Sequence, residues 1–467
     1  MDPDNRDESL FHILAEFAHS VGGSSTPDRV RSEARLCLLD TLGCVLAGSN
    51  TREAIAFRQA EQHIAGVAHP LPTSVGSRVL GYMGDVLELN DLIGGHASIG
   101  IVTASISAAQ NLQITGKQLT GAIIAGTEIT ARLYEAAVHT LKPFSESGMV
   151  TPGLFSAIGA AASLAYLRQL PLDTTAHAMA IAGAIASWGP AEVIFGNGGT
   201  IKPILFGASP ADSAIKGIEY AIQGITGPLN LVESPLGMMA ALAHGFREEA
   251  LRAPNLWHLL RPQRKLHASC GYTHSSVDTM VELVSQGVDV VGAQRITVQV
   301  PEYILSAVRK ASPPESPNEA RFHLQYCVAI AASGADVIEP IHTLDFDRYI
   351  AMPMIQQLME RIEVEPLTKK SMNTAKPYNV SRILITDTDG SVLEGHCDAP
   401  RGSAANPLSD HDVIEKFRRL ASGMLSEPEV EYIIRASLTF DGDDDQQWLR
   451  PIIDDLLQSR PGYNRTN

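Results

Sequence analysis

Apolar side chains between Leu10 and His19 fall at Leu10, Phe11, Leu14, Phe17 and Ala18, the spacing of one helix face. Thr26-Pro27-Asp28 reads as a helix start, with Thr26 as the cap and Pro27 in the first turn. The helix it opens runs through Val30, Ala34, Leu38, Leu42 and Val45 towards Gly48. The segments Ile99–Ala109, Leu119–Arg132, Leu154–Leu170 and Ala176–Ala186 are apolar almost all round, which predicts buried helices. Their small residues allow close axes. Ser209-Pro210-Ala211-Asp212 predicts a further start, and that helix ends near Gly224.

The pattern changes after Pro262. Arg295–Val300 alternates, with Ile296, Val298 and Val300 on one face, which predicts a strand. Arg361–Glu365 is a short strand candidate. Arg382–Thr386 and Ser391–His396 flank the turn signal Asp389-Gly390, so they predict a hairpin. Thr273–Ser285 and Ala320–Ser333 between them read as helices. Helical spacing returns in Asp410–Gly423, Glu427–Leu438 and Gln446–Gln458. The expected fold is mainly α: a large helical domain from residues 1–262 and 406–467, with an α/β domain at 263–405 between its two parts.

Composition narrows the function classes. The chain has 467 residues, 36 Lys and Arg against 52 Asp and Glu, and a formal charge of −16. That balance opposes nucleic acid and anionic membrane surfaces as partners, since both attract cations. No apolar run approaches the roughly 18 residues of a membrane span, and Met1–Ser9 is acidic, unlike a secretory signal. Cys37, Cys44, Cys270, Cys327 and Cys397 form no CxxC pair, and their number is odd, so neither a disulfide scaffold nor a zinc ribbon is expected. These features predict a soluble, cytoplasmic protein. Asp441–Asp445 lacks calcium-loop spacing and reads as a solvated loop.

Three stretches carry candidate chemistry. In Glu88-Leu89-Asn90-Asp91-Leu92-Ile93-Gly94-Gly95-His96, polar groups interrupt an apolar chain. His96 stands at the expected start of a helix, where the dipole lowers its pKa and leaves it able to accept a proton. The plain alternative is a His bonded to a loop carbonyl. Gly196-Asn197-Gly198-Gly199-Thr200-Ile201-Lys202 matches neither nucleotide motif, but a glycine-rich turn can present Lys202 to an anion. Lys265-Leu266-His267-Ala268-Ser269-Cys270-Gly271-Tyr272-Thr273-His274 crowds reactive types at the junction of the two patterns, where clefts tend to form. A Cys270–His274 nucleophilic pair is one option there, and His267 and His274 are too isolated to specify a metal.

Together these stretches resemble the MmgE/PrpD family, which includes 2-methylcitrate dehydratase, cis-aconitate decarboxylase and iminodisuccinate epimerase. The likeness runs from Cys37-Leu38-Leu39-Asp40-Thr41-Leu42-Gly43 through Gly94-Gly95-His96-Ala97-Ser98, Lys202-Pro203 with Gly207, Ile225-Thr226-Gly227-Pro228 and Cys270-Gly271-Tyr272-Thr273-His274. It closes with Pro400-Arg401-Gly402, Asn406-Pro407-Leu408-Ser409 and Lys416-Phe417. The resemblance implies a helical domain from both chain ends, an α/β lid, a homodimer, no cofactor, no metal, and a small carboxylic acid substrate held between domains. It implies His96, Lys202 and His274 as catalytic residues. Asp91, Glu88, Tyr272, Thr273, Tyr326 and Lys265 are the expected substrate contacts.

The sequence departs from the family pattern at several positions. The family's Asp-x-Asp-Asp-Thr segment appears as Glu88-Leu89-Asn90-Asp91-Leu92, with one acid changed to Glu88 and one to the amide Asn90. Three polar positions become aliphatic: a Thr becomes Leu92, and two His become Val150 and Leu205. A buried carboxylate without partners is costly, so the change points to a substrate with fewer polar groups or an added alkyl arm. The leading expectation is a carbon–oxygen lyase that dehydrates a 2-alkyl-substituted citrate. Decarboxylation of an aconitate-like acid, epimerisation of a substituted dicarboxylate and a non-catalytic binding role are the alternatives.

Overall fold

A computed structural model of the chain describes residues 9–23, 26–195, 199–253, 256–367, 380–439 and 448–458. Asp441–Asp445 and three residues of the glycine-rich stretch, Gly196, Asn197 and Gly198, lie outside these.

The fold is mainly α. The first half carries α1 (Leu10–Ser20), α2 (Asp28–Ser49), α3 (Arg52–Ala65), α4 (Thr73–Asp85), α5 (Ala97–Ala109), α6 (Gly116–Ala137), α7 (Pro152–Leu167), α8 (Leu172–Ile185) and α9 (Ser209–Ile222). α5 is buried on nearly every side, as its continuous apolar sequence predicts. Two of its hydroxyls bond inside the core: Thr103 Oγ1 donates to Ile99 O at 2.6 Å, and Ser105 Oγ meets Ser163 Oγ of α7 at 2.7 Å.

Two expected helix starts differ from the structure. Thr26 does not cap α2; its hydroxyl donates to Val21 O at 2.5 Å, and Pro27 takes the cap position without a side-chain bond. The deeper bond wins because Thr26 is buried. Ser209 opens no free end, because a five-residue π-helical stretch, Ile204–Ala208, runs directly into α9.

The second half holds α10 (His274–Ser285), α11 (Pro317–Phe322), α12 (Leu324–Ala332) and α13 (Pro353–Arg361) around four strands. These are β1 (Arg295–Val300), β2 (Ile362–Pro366), β3 (Ser381–Thr386) and β4 (Val392–Cys397), in the order β2-β1-β3-β4. β1 runs parallel to β2, pairing Ile296 with Ile362 and Val298 with Val364. β1–β3 and β3–β4 are antiparallel, and the β3–β4 turn has Gly390 at φ 85°. The helix expected at Ala320–Ser333 is two helices. His323, with φ −95° and ψ 103°, breaks the run, and its Nδ1 accepts the Tyr326 N–H at 3.2 Å to start α12.

The chain closes with α14 (Asp410–Ala421), α15 (Glu427–Leu438) and α16 (Leu449–Leu457). The largest apolar cluster spans Leu10 to Ala268 and resumes at Phe417, so these last helices share a core with the first ones. A second cluster gathers Cys270 to Ile385. Within the first, Gly43 of α2 lies under Phe417 and Leu420 of α14, and the buried Asp40–Lys416 ion pair closes at 2.7 Å beside them.

Candidate active site

The site is assembled where α4 meets the π-helical stretch. A Cβ on Gly207 would stand 2.0 Å from Gly81 O, so only glycine lets the two backbones touch there. Gly81 lies one helical turn before Asp85, and Gly207 little more than one turn after Lys202. The crossing therefore sets Lys202 against Asp85, and Lys202 Nζ donates to Asp85 Oδ1 at 2.8 Å. Lys202 is thus part of a helical turn rather than the tip of a glycine-rich loop. Local departures from the regular helical hydrogen-bond ladder of this kind often mark functional sites.

Beyond the end of α4 the backbone turns left-handed at Glu88, with φ 57°. This returns the Glu88 side chain to the same lysine, and its Oε1 ion-pairs with Lys202. Its other oxygen, Oε2, accepts from Lys265 Nζ at 2.7 Å. All four side chains are buried. Burial alone pushes the Glu88 carboxyl up, but the two ammonium groups overturn that and hold it well below the usual carboxylate range. Burial raises Asp85, with Lys202 opposing and Glu88 adding to the rise. Burial also opposes charge on Lys202, yet Asp85 and Glu88 raise its pKa.

His96 sits at the head of α5 in a left-handed conformation, φ 77° and ψ 45°. Asn90 Nδ2 donates to its Nδ1 at 3.0 Å. Since an amide nitrogen only donates, Nδ1 holds the lone pair and Nε2 carries the proton of the neutral ring. Burial, then Lys265 and Lys202, lower its pKa well below 6.5, against the pull of Glu88. Its ring centroid is 5.1 Å from that of Phe206, and Lys202 Nζ stands 4.6 Å from the same Phe206 ring.

His274 opens α10. Its Nε2 faces Ser269 O at 3.2 Å; a carbonyl only accepts, so Nε2 carries the proton and Nδ1 the lone pair. Burial, His267 and Lys265 hold His274 neutral, its pKa well below 6.5. The His267 ring meets it edge-on at 4.9 Å. Ile338 N–H donates to His267 Nδ1 at 3.1 Å, so His267 Nε2–H donates to Asp278 Oδ1 at 3.0 Å. Arg401 completes this support, its Nε donating to the same oxygen at 2.9 Å. Burial tends to raise Asp278, but His267 and Arg401 bring it down to about 2.

The structure therefore brings Glu88, Lys202 and Lys265 into contact, with Lys265 acting electrostatically on both His96 and His274. Other expected substrate contacts turn to protein partners. The Asp91 carboxylate takes the Ser98 hydroxyl and the Ser98 N–H, the latter at 3.3 Å, and so caps α5 in place of His96. Thr273 Oγ1 donates to Cys270 O and bonds Ser269 Oγ, each at 2.8 Å, which shapes the turn before His274. Tyr326 is buried in the second core, and its hydroxyl donates to His342 O at 2.5 Å. Tyr272 stands edge-on to Tyr303 with centroids 6.4 Å apart. Burial lifts the Cys270 thiol to about 11, so it is protonated near neutral pH and unsuited to a Cys–His nucleophile.

The three aliphatic replacements line the surroundings. Val150 and Leu205 form an apolar cluster with Ala191 and Phe206, the residue that touches both His96 and Lys202. Leu92 packs against Gly271, where a Cβ would meet its Cδ1 at 3.1 Å. Asp85 is a residue that sequence reasoning missed, since it belongs to the end of α4 and precedes the recognisable segment. Among the described residues no three His, Cys, Asp or Glu side chains gather as a metal-ligating group. No helix of the described residues is long and apolar enough to cross a membrane.

Comparison with known proteins adds two kinds of match. The sequence profile of the MmgE/PrpD N-terminal domain matches residues 12–250, and that of the MmgE/PrpD C-terminal domain matches residues 267–441. The chain is 23% identical over 457 residues to the human (Homo sapiens) cis-aconitate decarboxylase, covering 92% of this chain and 91% of that protein. It is 30% identical over 145 residues to the mouse (Mus musculus) cis-aconitate decarboxylase, covering 30% of this chain and 27% of that protein.

Proposed function

Since the chain belongs to the MmgE/PrpD family, we propose that it is a lyase acting on a small polycarboxylate, and that it dehydrates a 2-alkyl-substituted citrate. The observation that carries the substrate reading is the apolar cluster of Val150, Ala191, Leu205 and Phe206 against His96. Such a wall favours an alkyl arm and offers no hydrogen bond to a further carboxylate.

The mechanism follows from the ring nitrogens. His274 Nδ1, free of a proton, removes the proton from the carbon next to a carboxylate. The C–H electron pair forms the double bond. The carbon–oxygen bond of the hydroxyl breaks, and His96 Nε2–H supplies the proton that makes it water. Negative charge grows on the substrate carboxylate as the proton leaves, and Lys202 and Lys265 stand ready in a dry site to offset it. Both rings are neutral near pH 7, as a base and a hydrogen-bond acid must be. The division into a helical unit, 1–262 with 406–467, and an α/β unit, 263–405, belongs to the same reading, and the two apolar clusters support it.

A second reading is decarboxylation, favoured by the human relative's name and its coverage of nearly the whole chain. There a carbon–carbon bond breaks to release CO₂, and a histidine N–H protonates the carbanion. Incubation with 2-methylcitrate, longer 2-alkyl citrates and cis-aconitate separates the two. Alkene absorbance without CO₂ supports dehydration, and CO₂ release from cis-aconitate supports the second reading. Proton–deuterium exchange without net conversion, or thermal stabilisation without turnover across the panel, overturns both.

A further inference from the structure

The described residues include a buried cation that neither the fold nor the mechanism above uses. Arg321, on α11, is 1% exposed. Its Nε donates to Thr343 Oγ1 at 3.2 Å, but Nη1 and Nη2 are both buried with no hydrogen-bond partner among the described residues. A guanidinium stays charged in a folded protein, and two empty donors out of water are costly. Burial works against its charge, while Glu53, Glu88 and Tyr82 favour it without bonding the two terminal nitrogens.

Its position links it to the catalytic lysine. One turn earlier on α11, Asn318 Nδ2 donates to Gly199 O at 3.1 Å. From the other side, Tyr82 of α4 donates its hydroxyl to Thr200 O at 2.7 Å. The run that leads into Lys202 is thus held between α4 and α11. A groove of about 580 Å³ lies along this seam, lined by Glu53, Phe57, Tyr82, Thr200, Ile201 and Pro317 among others. Glu88, which pairs with Lys202 and Lys265, bears on Arg321 as well. Three cations, Lys202, Lys265 and Arg321, share the region with the buried carboxyls Asp85 and Glu88, and Glu53 bears on Arg321 from the groove side.

We propose that Arg321 is a specificity-determining residue, whose two unpartnered terminal nitrogens grip a second carboxylate of the substrate, remote from the carbon that His274 deprotonates. The planar fork matches a carboxylate with two parallel bonds, which a lysine cannot reproduce. The apolar cluster beside His96 then faces the alkyl arm, and the Arg321 side reads the acid. This rests on the lyase reading of the same site, but its test does not require turnover.

The test is calorimetric titration of the full chain with propane-1,2,3-tricarboxylate, an acid with no hydroxyl to lose, and with its monoamide. The expected result is that wild type binds the tricarboxylate. Arg321→Met should then lose roughly 10- to 100-fold in affinity, and Arg321→Lys should fall between the two. Without ligand, Arg321→Met should unfold at the same temperature as wild type or higher, because an unpartnered buried charge has been removed. Equal affinity in wild type and Arg321→Met overturns the proposal. So does a wild type that binds neither acid, or a loss of affinity matched by a lower unliganded melting temperature in both variants. Arg321-dependent binding with no turnover of any acid leaves the proposal standing and sinks the lyase reading. Turnover with an unchanged KM in Arg321→Met does the reverse.

Discussion

The Glu88 carboxylate and the Lys265 ammonium, 177 residues apart in the chain, meet at 2.7 Å with both side chains out of water. Glu88 also pairs with Lys202, so a single carboxylate bridges two buried cations, with Asp85 as the second partner of Lys202. Removing one member of a buried ionic group leaves the others uncompensated, which typically costs about 3–5 kcal/mol. Glu88→Gln keeps the shape and the left-handed backbone but loses the charge, and urea denaturation should register a loss of that order. Adding Lys265→Met should recover part of it. A double variant no more stable than Glu88→Gln alone would show that the two groups are not coupled. The folded Glu88 pKa lies below its ordinary 4.5, so its stabilising contribution is present above 4.5 and is lost as pH falls through the folded value. Wild type should weaken in acid more steeply than Glu88→Gln.

The contact of Gly81 with Gly207 makes a geometric prediction. Gly207→Ala would place a methyl group 2.0 Å from a carbonyl oxygen of α4, and rigid backbone cannot yield as a flexible side chain does. Overpacking of this kind costs typically about 1–3 kcal/mol, and more where backbone must shift. Since the same crossing sets Lys202 against Asp85, kcat should fall as well, beyond what the lower melting temperature explains. Activity assayed well below the melting temperature checks this. Full kcat there would mean that Lys202 does not depend on the crossing.

Much of the fold is legible in the sequence because burial is periodic and local. Arg295–Val300 alternates and is a strand with those ends, and Ile99–Ala109, apolar all round, lies inside α5. Local signals failed where a tertiary bond outweighed them. Thr26 gave its hydroxyl to Val21 O instead of capping α2, and His323 split one expected helix in two. The site was legible only in its residue types. The family likeness pointed to Glu88 and Lys202, and the crowded stretch before His274 offered Lys265, but nothing in their spacing says that one carboxylate bridges both lysines. Asp85 and Arg321 were not legible: Asp85 precedes the recognisable segment, Arg321 stands inside an expected helix with nothing local to single it out, and each matters through partners, present or missing, far along the chain. Tyr326 illustrates the converse: its type and place suggested a pocket residue, and its hydroxyl is spent on His342 O.

Asp91 offers a test by pH. Burial raises its carboxyl from 3.8 to about 7, against the bonds from Ser98. Between those values the unfolded carboxyl is ionised and the folded one holds its proton, so the folded chain binds more protons and stability falls as pH rises. Asp91→Asn reproduces the neutral acid, with a carbonyl for Ser98 N–H and an amide for its hydroxyl. The variant should equal wild type near pH 4 and exceed it at pH 8, by on the order of a few kcal/mol. Denaturation midpoints of the two proteins across that range decide it, and a difference independent of pH would contradict the cap role. Near-normal turnover in Asp91→Asn would fit a residue that positions α5 and does not touch substrate.

The two histidines separate by the proton each one handles. His274 presents a bare Nδ1 because Ser269 O holds its Nε2–H, and His96 presents Nε2–H because Asn90 donates to its Nδ1. His274→Ala should therefore stop proton removal. In deuterium oxide the substrate should show no exchange next to the carboxylate, and turnover should fall by about 10²–10⁴-fold with the fold intact. His96→Ala loses only the acid for the departing hydroxyl, so exchange should continue while net dehydration falls. Both folded pKa values lie well below 6.5, which keeps kcat level as pH drops from 8 towards 6.5, and activity fails only further into acid as His274 Nδ1 takes up a proton. The same depression means that the unfolded rings bind protons first, so these two histidines remove stability as pH falls below 6.5. Exchange at the wild-type rate in His274→Ala would refute the assignment of the base. Exchange lost in His96→Ala but kept in His274→Ala would exchange the two roles.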